Sequence, residues 1–261
     1  MRLRFEQGVT YTVLLLFCAV AVAPLLGILV VALGGGAHFD NFVGAWNAGD
    51  LGTGLRNSAV ITTTVVVASA VLSVLSGYAL GTMRFRGDTL IFAVFLIGVV
   101  MPFEAPIVPL YYDLRAFGLT DSYCGVILPD TALSVAFGTF WMRAFFLSAP
   151  VSLIEAARID GASSRATLRH ILLPLARPHL LTLMVLVFMW TWNDFLLSLV
   201  MLSNPSIQTL PLKLAVFQGR YVTDVSSLAS AAVIVMLPVI LVYIILQRHF
   251  MRGALSGALK L

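Results

Sequence analysis

Three carboxylates stand inside otherwise apolar stretches of this chain: Glu104, Asp130 and Asp194. An unpaired charge at bilayer depth costs at least about 2.5–3.5 kcal/mol, so such groups mark pathways or find partners. At about 1.5 Å per helical residue, Glu104 lies about 21 Å from Leu90, Asp194 about 22 Å from His179 and Asp130 about 10 Å from Tyr123. These depths put all three at similar heights, as if around one water-accessible vestibule. Trp190 stands one helical turn before Asp194, with Asn193 adjacent, so indole, amide and carboxylate share a face. That set suits a sugar, whose C–H face stacks on a ring while its hydroxyls find acceptors. The same set can instead pin helices together. Asp130 follows Pro129 and has a purely structural reading as the cap of a helix start. Glu104 sits among Pro102, Pro106 and Pro109. Carbonyls freed at such a break are tolerated where protein or a wet cavity receives them.

A second chemistry-bearing stretch runs from Ser152 to Pro174. Ser152 precedes Leu153-Ile-Glu155 in the pattern of a capping box, predicting a short helix through Ile159. Gly161 is placed for the left-handed residue that ends a helix. A second helix is predicted from Ser163 or Ser164 to Leu173, stopped by Pro174. Two short helices at an angle would then expose Glu155, Arg158, Asp160 and Arg165 around the small Ala156 and Ala157. Small residues permit close approach to a partner groove, and the charges fix its register. An ordinary solvated loop fits the same pattern. A DNA-reading helix-turn-helix does not, because apolar spans on both sides would hold it against a membrane.

Several chemistries are missing. The chain has two lysines, Lys213 and Lys260, and each is followed by Leu, so no phosphate loop of the Gly-x-x-x-x-Gly-Lys-Ser/Thr kind is present. ATP and its Mg would have to be bound by another subunit. His38, His170, His179 and His249 are dispersed, without metal-ligand spacing. No nucleophile elbow appears, and Cys18 and Cys124 cannot build a disulfide framework. An enzyme, a resident cofactor and a metal are therefore not expected.

The elements that must position these groups follow from composition. Apolar residues make up 60% of the chain and charged residues 11%, far from the soluble globular range. Six apolar runs each approach the ~20 residues needed to cross hydrocarbon: Val9–Leu33, Ser58–Met83, Leu90–Tyr112, Tyr123–Met142, His179–Leu202 and Leu228–Gln247. The first is too long for a cleaved signal peptide despite Arg2 and Arg4 before it. With the N-terminus inside, 12 of the 16 Lys and Arg residues fall on the cytoplasmic side. Arg56, Arg115, Lys213 and Arg220 fall outside, which orients both termini and the Glu155 loop to the cytoplasm. The expected plan is an all-α membrane protein. Residues 1–57 would form a first helix with a short outer segment, 58–248 a core of five helices with the loop at about 143–178, and 249–261 a cytoplasmic tail. The Met and Phe residues of the spans are expected to pack or face lipid.

The run Glu155-Ala-Ala-Arg-Ile-Asp-Gly-Ala162, followed by Ile171-Leu-Leu-Pro-Leu-Ala-Arg-Pro178, resembles the EAA coupling loop of bacterial ABC importer permeases. Leu55-Arg-Asn-Ser58, Arg84-Phe-Arg-Gly87, Met101-Pro-Phe-Glu104, Ile127-Leu-Pro129, Thr191-Trp-Asn-Asp194 and Gln247-Arg-His-Phe250, with Gly253 and Gly257-Ala-Leu-Lys260, are similar to the maltose-type carbohydrate permeases. Within them the chain resembles the smaller, six-span partner of a permease pair. The resemblance implies the type I ABC importer transmembrane fold in the bacterial inner membrane. It implies that Glu155, Ala156, Ala157, Arg158, Asp160, Gly161, Ala162, Ile171 and Pro174 form a surface docking an ATP-binding subunit. Implied partners are two copies of that subunit, a second homologous permease and an extracytoplasmic solute-binding protein, with no nucleic acid. The cargo implied is a sugar or sugar-like solute, such as an oligosaccharide or a glycerol-phosphate ester, moved by alternating access. Glu104, Trp190, Asn193 and Asp194 are the candidate pathway residues. The tail ends in Leu261 after Lys260, where many relatives carry Gly. The alternative is an ion-coupled secondary transporter acting alone, with Glu104 or Asp194 carrying the proton.

Overall fold

The computed structural model describes residues 2–34, 39–102, 104–218 and 224–258, the side chains of 2–6, 9 and 248–258 excepted. His38, Arg220, Lys260 and Leu261, and the side chains of Arg2, Arg4 and His249, lie outside the described residues. The elements are helices throughout: α1 (Arg2–Ala32), α2 (Asp40–Ala48), α3 (Leu51–Thr82), α4 (Asp88–Val100), α5 (Ile107–Ala116), α6 (Tyr123–Ser148), α7 (Val151–Ile159), α8 (Ser164–Thr167), α9 (Leu173–Trp192), α10 (Leu196–Met201), α11 (Leu210–Lys213) and α12 (Val225–Ala258). Among the described residues, five helical stretches are long and apolar enough to cross a bilayer: Thr10–Ala32, Leu51–Thr82, Tyr123–Ser148, Ser164–Trp192 and Val225–Gln247.

The third expected span is not one helix. Met101 turns extended, with ψ 126°, as residues before proline do. The chain resumes as α5 only after Pro106, with Pro109 tolerated in the first turn. The fifth span differs at both ends. The second loop helix does not stop at Pro174 but runs on into this span, because the wide turn Leu168–Leu172 carries it onward, Leu173 N–H donating to Leu168 O. Such a turn absorbs a residue that lacks an amide donor and crowds the preceding turn. At its far end the helix closes at Trp192 and restarts as α10, so His179–Leu202 is divided at Asn193–Asp194.

Internal contacts divide the chain into two units, Met1–Thr53 with Lys213–Pro238, and Gly54–Leu212 with Val239–Leu261. In the first, the carbonyl of buried Ala32 accepts from Asn41 Nδ2 at 3.0 Å and from Ser230 Oγ at 3.2 Å. Lys213, only 4% exposed, reaches Asp50 at 3.1 Å.

In the second unit, α3 and α6 meet backbone to backbone. A Cβ on Gly77 would stand 2.7 Å from Met142 Cβ, one on Gly81 would stand 2.9 Å from Phe146 Cβ, and one on Gly138 would collide with Ser73 Oγ. Gly77 and Gly81 form a Gly-x-x-x-Gly face, the device by which helices approach closely where lipid removes the hydrophobic drive. Ser76 and Thr139 hydroxyls close the contact at 2.6 Å. Arg143 of α6 donates to Leu80 O of α3 at 3.1 Å and lies 3.9 Å over the Phe92 ring of α4. Around this seam lies a core that includes Ile61, Val65, Met142, Phe146, Leu172, Leu183 and Leu197.

The Asn57-Ser58 pair has a physical role. Buried Asn57 donates from Nδ2 to Ser206 O at 3.0 Å and Gln208 O at 2.9 Å, and accepts from Tyr123 OH at 2.7 Å. Ser58 Oγ accepts from Leu210 N at 2.8 Å. Two side chains thus satisfy backbone groups of residues 206, 208 and 210, and Asp121 Oδ1 accepts from the amides of Ser203 and Asn204, groups that would otherwise be costly to bury.

Candidate functional site

The polar stretch forms an elbow. α7 ends at Ile159, and Gly161 takes a left-handed φ of 76°, the conformation glycine adopts without a Cβ penalty. Ser163 then caps α8, its hydroxyl accepting from Ala166 N at 3.3 Å. The expected capping box is not formed. α7 begins one residue before Ser152, at Val151, with Pro150 at the N-cap and no side-chain cap; Ala149 turns extended before the proline, which ends α6 and leaves α7 to start directly after it. Glu155, Ala156, Arg158, Asp160, Gly161, Arg165 and Pro174 are exposed, Ala162 and Ile171 are half-buried, and Ala157 is buried against the body. Ile159 is 86% exposed at the tip. The outward surface is therefore charged at its sides and apolar at its apex. Tyr78 of α3 holds the elbow to the bundle, its hydroxyl donating to Ser164 O at 3.2 Å.

The second candidate is a cavity of about 420 Å³ lined by Gly98, Val99, Met101, Asp130, Leu133, Ser134, Phe137, Trp190, Thr191 and Asp194. It gathers two of the three carboxylates. Glu104 is exposed on the turn between α4 and α5 and is not in the lining. Asn193 also turns away, its amide donating to Met189 O at 2.7 Å. Trp190 does line the space, edge to face with Phe137 at 5.0 Å between ring centres.

The two aspartates exchange the roles that the sequence suggests for them. Asp130 caps nothing: Ser122 starts α6, accepting from Gly125 N at 3.3 Å, and Asp130 lies two turns in. It is 8% exposed, and its Oδ2 has no hydrogen-bond partner. Asp194 is the capping group instead. Its Oδ1 accepts from Leu197 N at 3.3 Å, and its Oδ2 accepts from Ser198 N at 3.0 Å and Ser198 Oγ at 3.1 Å. It occupies the break that lets α10 begin.

Residues 73–255 match the family described as binding-protein-dependent transport system inner membrane component. The chain belongs to this family. Among its relatives is the trehalose transport system permease protein SugB of Mycobacterium tuberculosis (strain CDC 1551 / Oshkosh), 33% identical over 224 residues, which cover 85% of this chain and 82% of that protein. The arabinooligosaccharides transport system permease protein AraQ of Halalkalibacterium halodurans is 34% identical over 222 residues, covering 85% and 79%. Among solved structures, a chain of a bacterial ABC transporter importing the acidic polysaccharide alginate superposes with a TM-score of 0.78 at 23% identity, covering 95% of this chain and 97% of that one. At that identity the likeness establishes the fold, that of a type I ABC importer permease.

In this permease, sequence reasoning passed over Tyr78, Ile159, Ser134 and Phe137. One signal was available for the last two. Asp130, Ser134 and Phe137 are spaced i, i+4 and i+7, which puts them on a single stripe of α6. Nothing in the sequence distinguished Tyr78 from other aromatic residues of the spans.

Proposed function

We propose that this permease forms part of the path of an ATP-driven importer for a carbohydrate, and that the α7–α8 elbow docks an ATP-binding subunit. The observation that carries this reading is the elbow itself. A charged, apolar-tipped surface is built from exposed residues, fixed by Gly161 and Ser163 and tied to α3 through Tyr78. The carbohydrate assignment is supported by relatives named for trehalose, arabinooligosaccharides and diacetylchitobiose.

In this reading Glu155, Ala156, Arg158, Asp160 and Gly161 touch the ATP-binding subunit. Ala157, Ala162, Ile171 and Pro174 set the elbow's angle, and both termini share its side of the membrane. The assembly holds two copies of the ATP-binding subunit, a second permease and an extracytoplasmic solute-binding protein. Partners of the last kind are supported by a solved alginate transporter in complex with a pentasaccharide-bound periplasmic protein, whose matching chain has a TM-score of 0.71. ATP and Mg sit on the ATP-binding subunits, whose closure moves the elbow and tilts the spans in alternating access. Residues 58–248 form the moving core, with 1–57 and 249–261 flanking it. Glu104 and Asn193 serve the mouth and frame of the path, and Trp190 and Asp194 its wall.

Reconstitution tests this. A Glu155→Lys permease should insert normally, lose the ATP-binding subunit on co-purification and lose ATP-dependent uptake. Normal co-purification and uptake by that variant would overturn the docking assignment. Uptake by the chain alone in vesicles without ATP would establish an ion-coupled transporter instead.

A further inference from the structure

The cavity between α4, α6 and α9 contains an unanswered acceptor. Asp130 is more than nine-tenths buried, lines the space, and leaves Oδ2 without a partner. Buried polar groups almost always find partners, and leaving one unsatisfied is costly. A carboxylate oxygen accepts, so whatever completes it must bring O–H or N–H donors. The second carboxyl group, Asp194, has its oxygens engaged by Leu197 and Ser198 and lines the same wall. No Lys, Arg or His lines the cavity among the described residues.

Opposite chemistry lies beside the carboxylates. Trp190 is 49% exposed and stands edge to face against Phe137, with an interplanar angle of 80°. A half-open indole fixed in this way offers a flat surface to the C–H face of a ring, or to a cation. A volume of about 420 Å³ falls within the ~300–1,000 Å³ of sites that take small molecules.

Resting on the importer reading above, we propose that this permease itself holds solute, through Asp130 and Trp190, and that the subsite takes hydroxyl-rich rings without an anionic group. Neutral and amine-bearing sugars are accepted. Carboxylated and phosphorylated ones are turned away by a wall of two carboxyl groups that offers no cation to offset an anion's desolvation, a repulsive element of the kind specificity requires. The shared fold does not impose this choice, since a matching chain belongs to an importer of an acidic polysaccharide. The lining does.

The test uses the assembled permease pair with its ATP-binding subunits in nanodiscs, without the solute-binding protein, so that delivery does not impose its own selectivity. Isothermal titration compares methyl glucoside, glucosamine and glucuronate, and ATP turnover is read on the same preparation. Methyl glucoside and glucosamine should bind about tenfold or more tightly than glucuronate, the scale expected when like charges are juxtaposed. Asp130→Asn should shrink that ratio to about threefold or less, and Trp190→Ala should weaken methyl glucoside by about fivefold. Equal binding of glucuronate, or an Asp130→Asn ratio that does not move, overturns the proposal. So does binding of methyl glucoside that is indifferent to Trp190→Ala, or no binding at all. If ATP turnover remains sensitive to Glu155→Lys in such a case, the importer reading survives and the subsite alone has failed. Loss of that sensitivity removes the importer reading.

Discussion

In the elbow, Glu155, Arg158, Asp160 and Arg165 stand exposed along α7, the turn after it and the start of the long stretch from Ser164. In the cavity, Asp130 is buried mid-helix, and Asp194 is bound into the start of α10. Both regions spend charged residues in a chain that has few, but with different consequences for folding. Exposed charges add little to stability, so the elbow's composition is free to answer to a partner. Intramembrane charges are expensive. Asp194 offsets its cost by completing the backbone, and Asp130 does not. A carboxyl group with a structural use and one without, on the same wall, separate architecture from function more cleanly than burial alone.

The contrast can be broken at several points. The largest effect is expected at Gly161, whose φ of 76° proline cannot adopt. Gly161→Pro should cut ATP-dependent uptake by roughly tenfold or more, equivalent to about 1.4 kcal/mol of lost docking, while the detergent-solubilised chain melts nearly unchanged. A large loss of melting temperature would place the elbow in the folding core instead. Gly138→Leu should do the reverse, driving a side chain into Ser73 and costing about 1–3 kcal/mol or more. Thermal unfolding that matches the parent would refute the tight α3–α6 seam. Asp194→Ala removes a cap worth about 0.5–2 kcal/mol, and the matching Asp130→Asn should leave stability unchanged or raise it. Equal destabilisation by both would end the distinction between them. Tyr78→Phe should cost about 0.5–1.5 kcal/mol, read as a weaker response of ATP turnover to solute.

The smallest effect is one of pH. The Thr53 hydroxyl and then Lys213 hold the Asp50 carboxyl below the usual aspartate range. A lowered folded pKa stabilises above the ordinary value, and that contribution fades as pH falls through the lowered one. Acid melting should therefore shift slightly in the parent and not in Asp50→Asn.

Much of this was legible because one period dominates. Runs of about twenty apolar residues announce helices whatever they pack against, and Gly161 announced its turn. The divided third run was also readable, since Pro102 and Pro106 remove donors at adjacent turns. The division at Asn193–Asp194 was hidden because no proline or glycine marks it. There the break is stabilised by Asp194 capping α10, an arrangement visible only once α10 has a direction. Pro174 misled for the opposite reason. A proline usually ends a helix, but a widened turn at Leu168–Leu172 accommodates this one. Asp130 was misread because Pro129 looked like a helix start, while Ser122 already supplied it.

That widened turn has a consequence for information flow. Because Ser164 to Trp192 is one 29-residue stretch, at about 1.5 Å per residue it forms a shaft some 44 Å long. One end adjoins the proposed docking elbow and the other carries Trp190 of the cavity wall, with no hinge made by a helix end between them. Under the proposed docking, linkage between two such ends is reciprocal: whatever factor a solute applied to the grip of the nucleotide engine, the engine would apply to the solute.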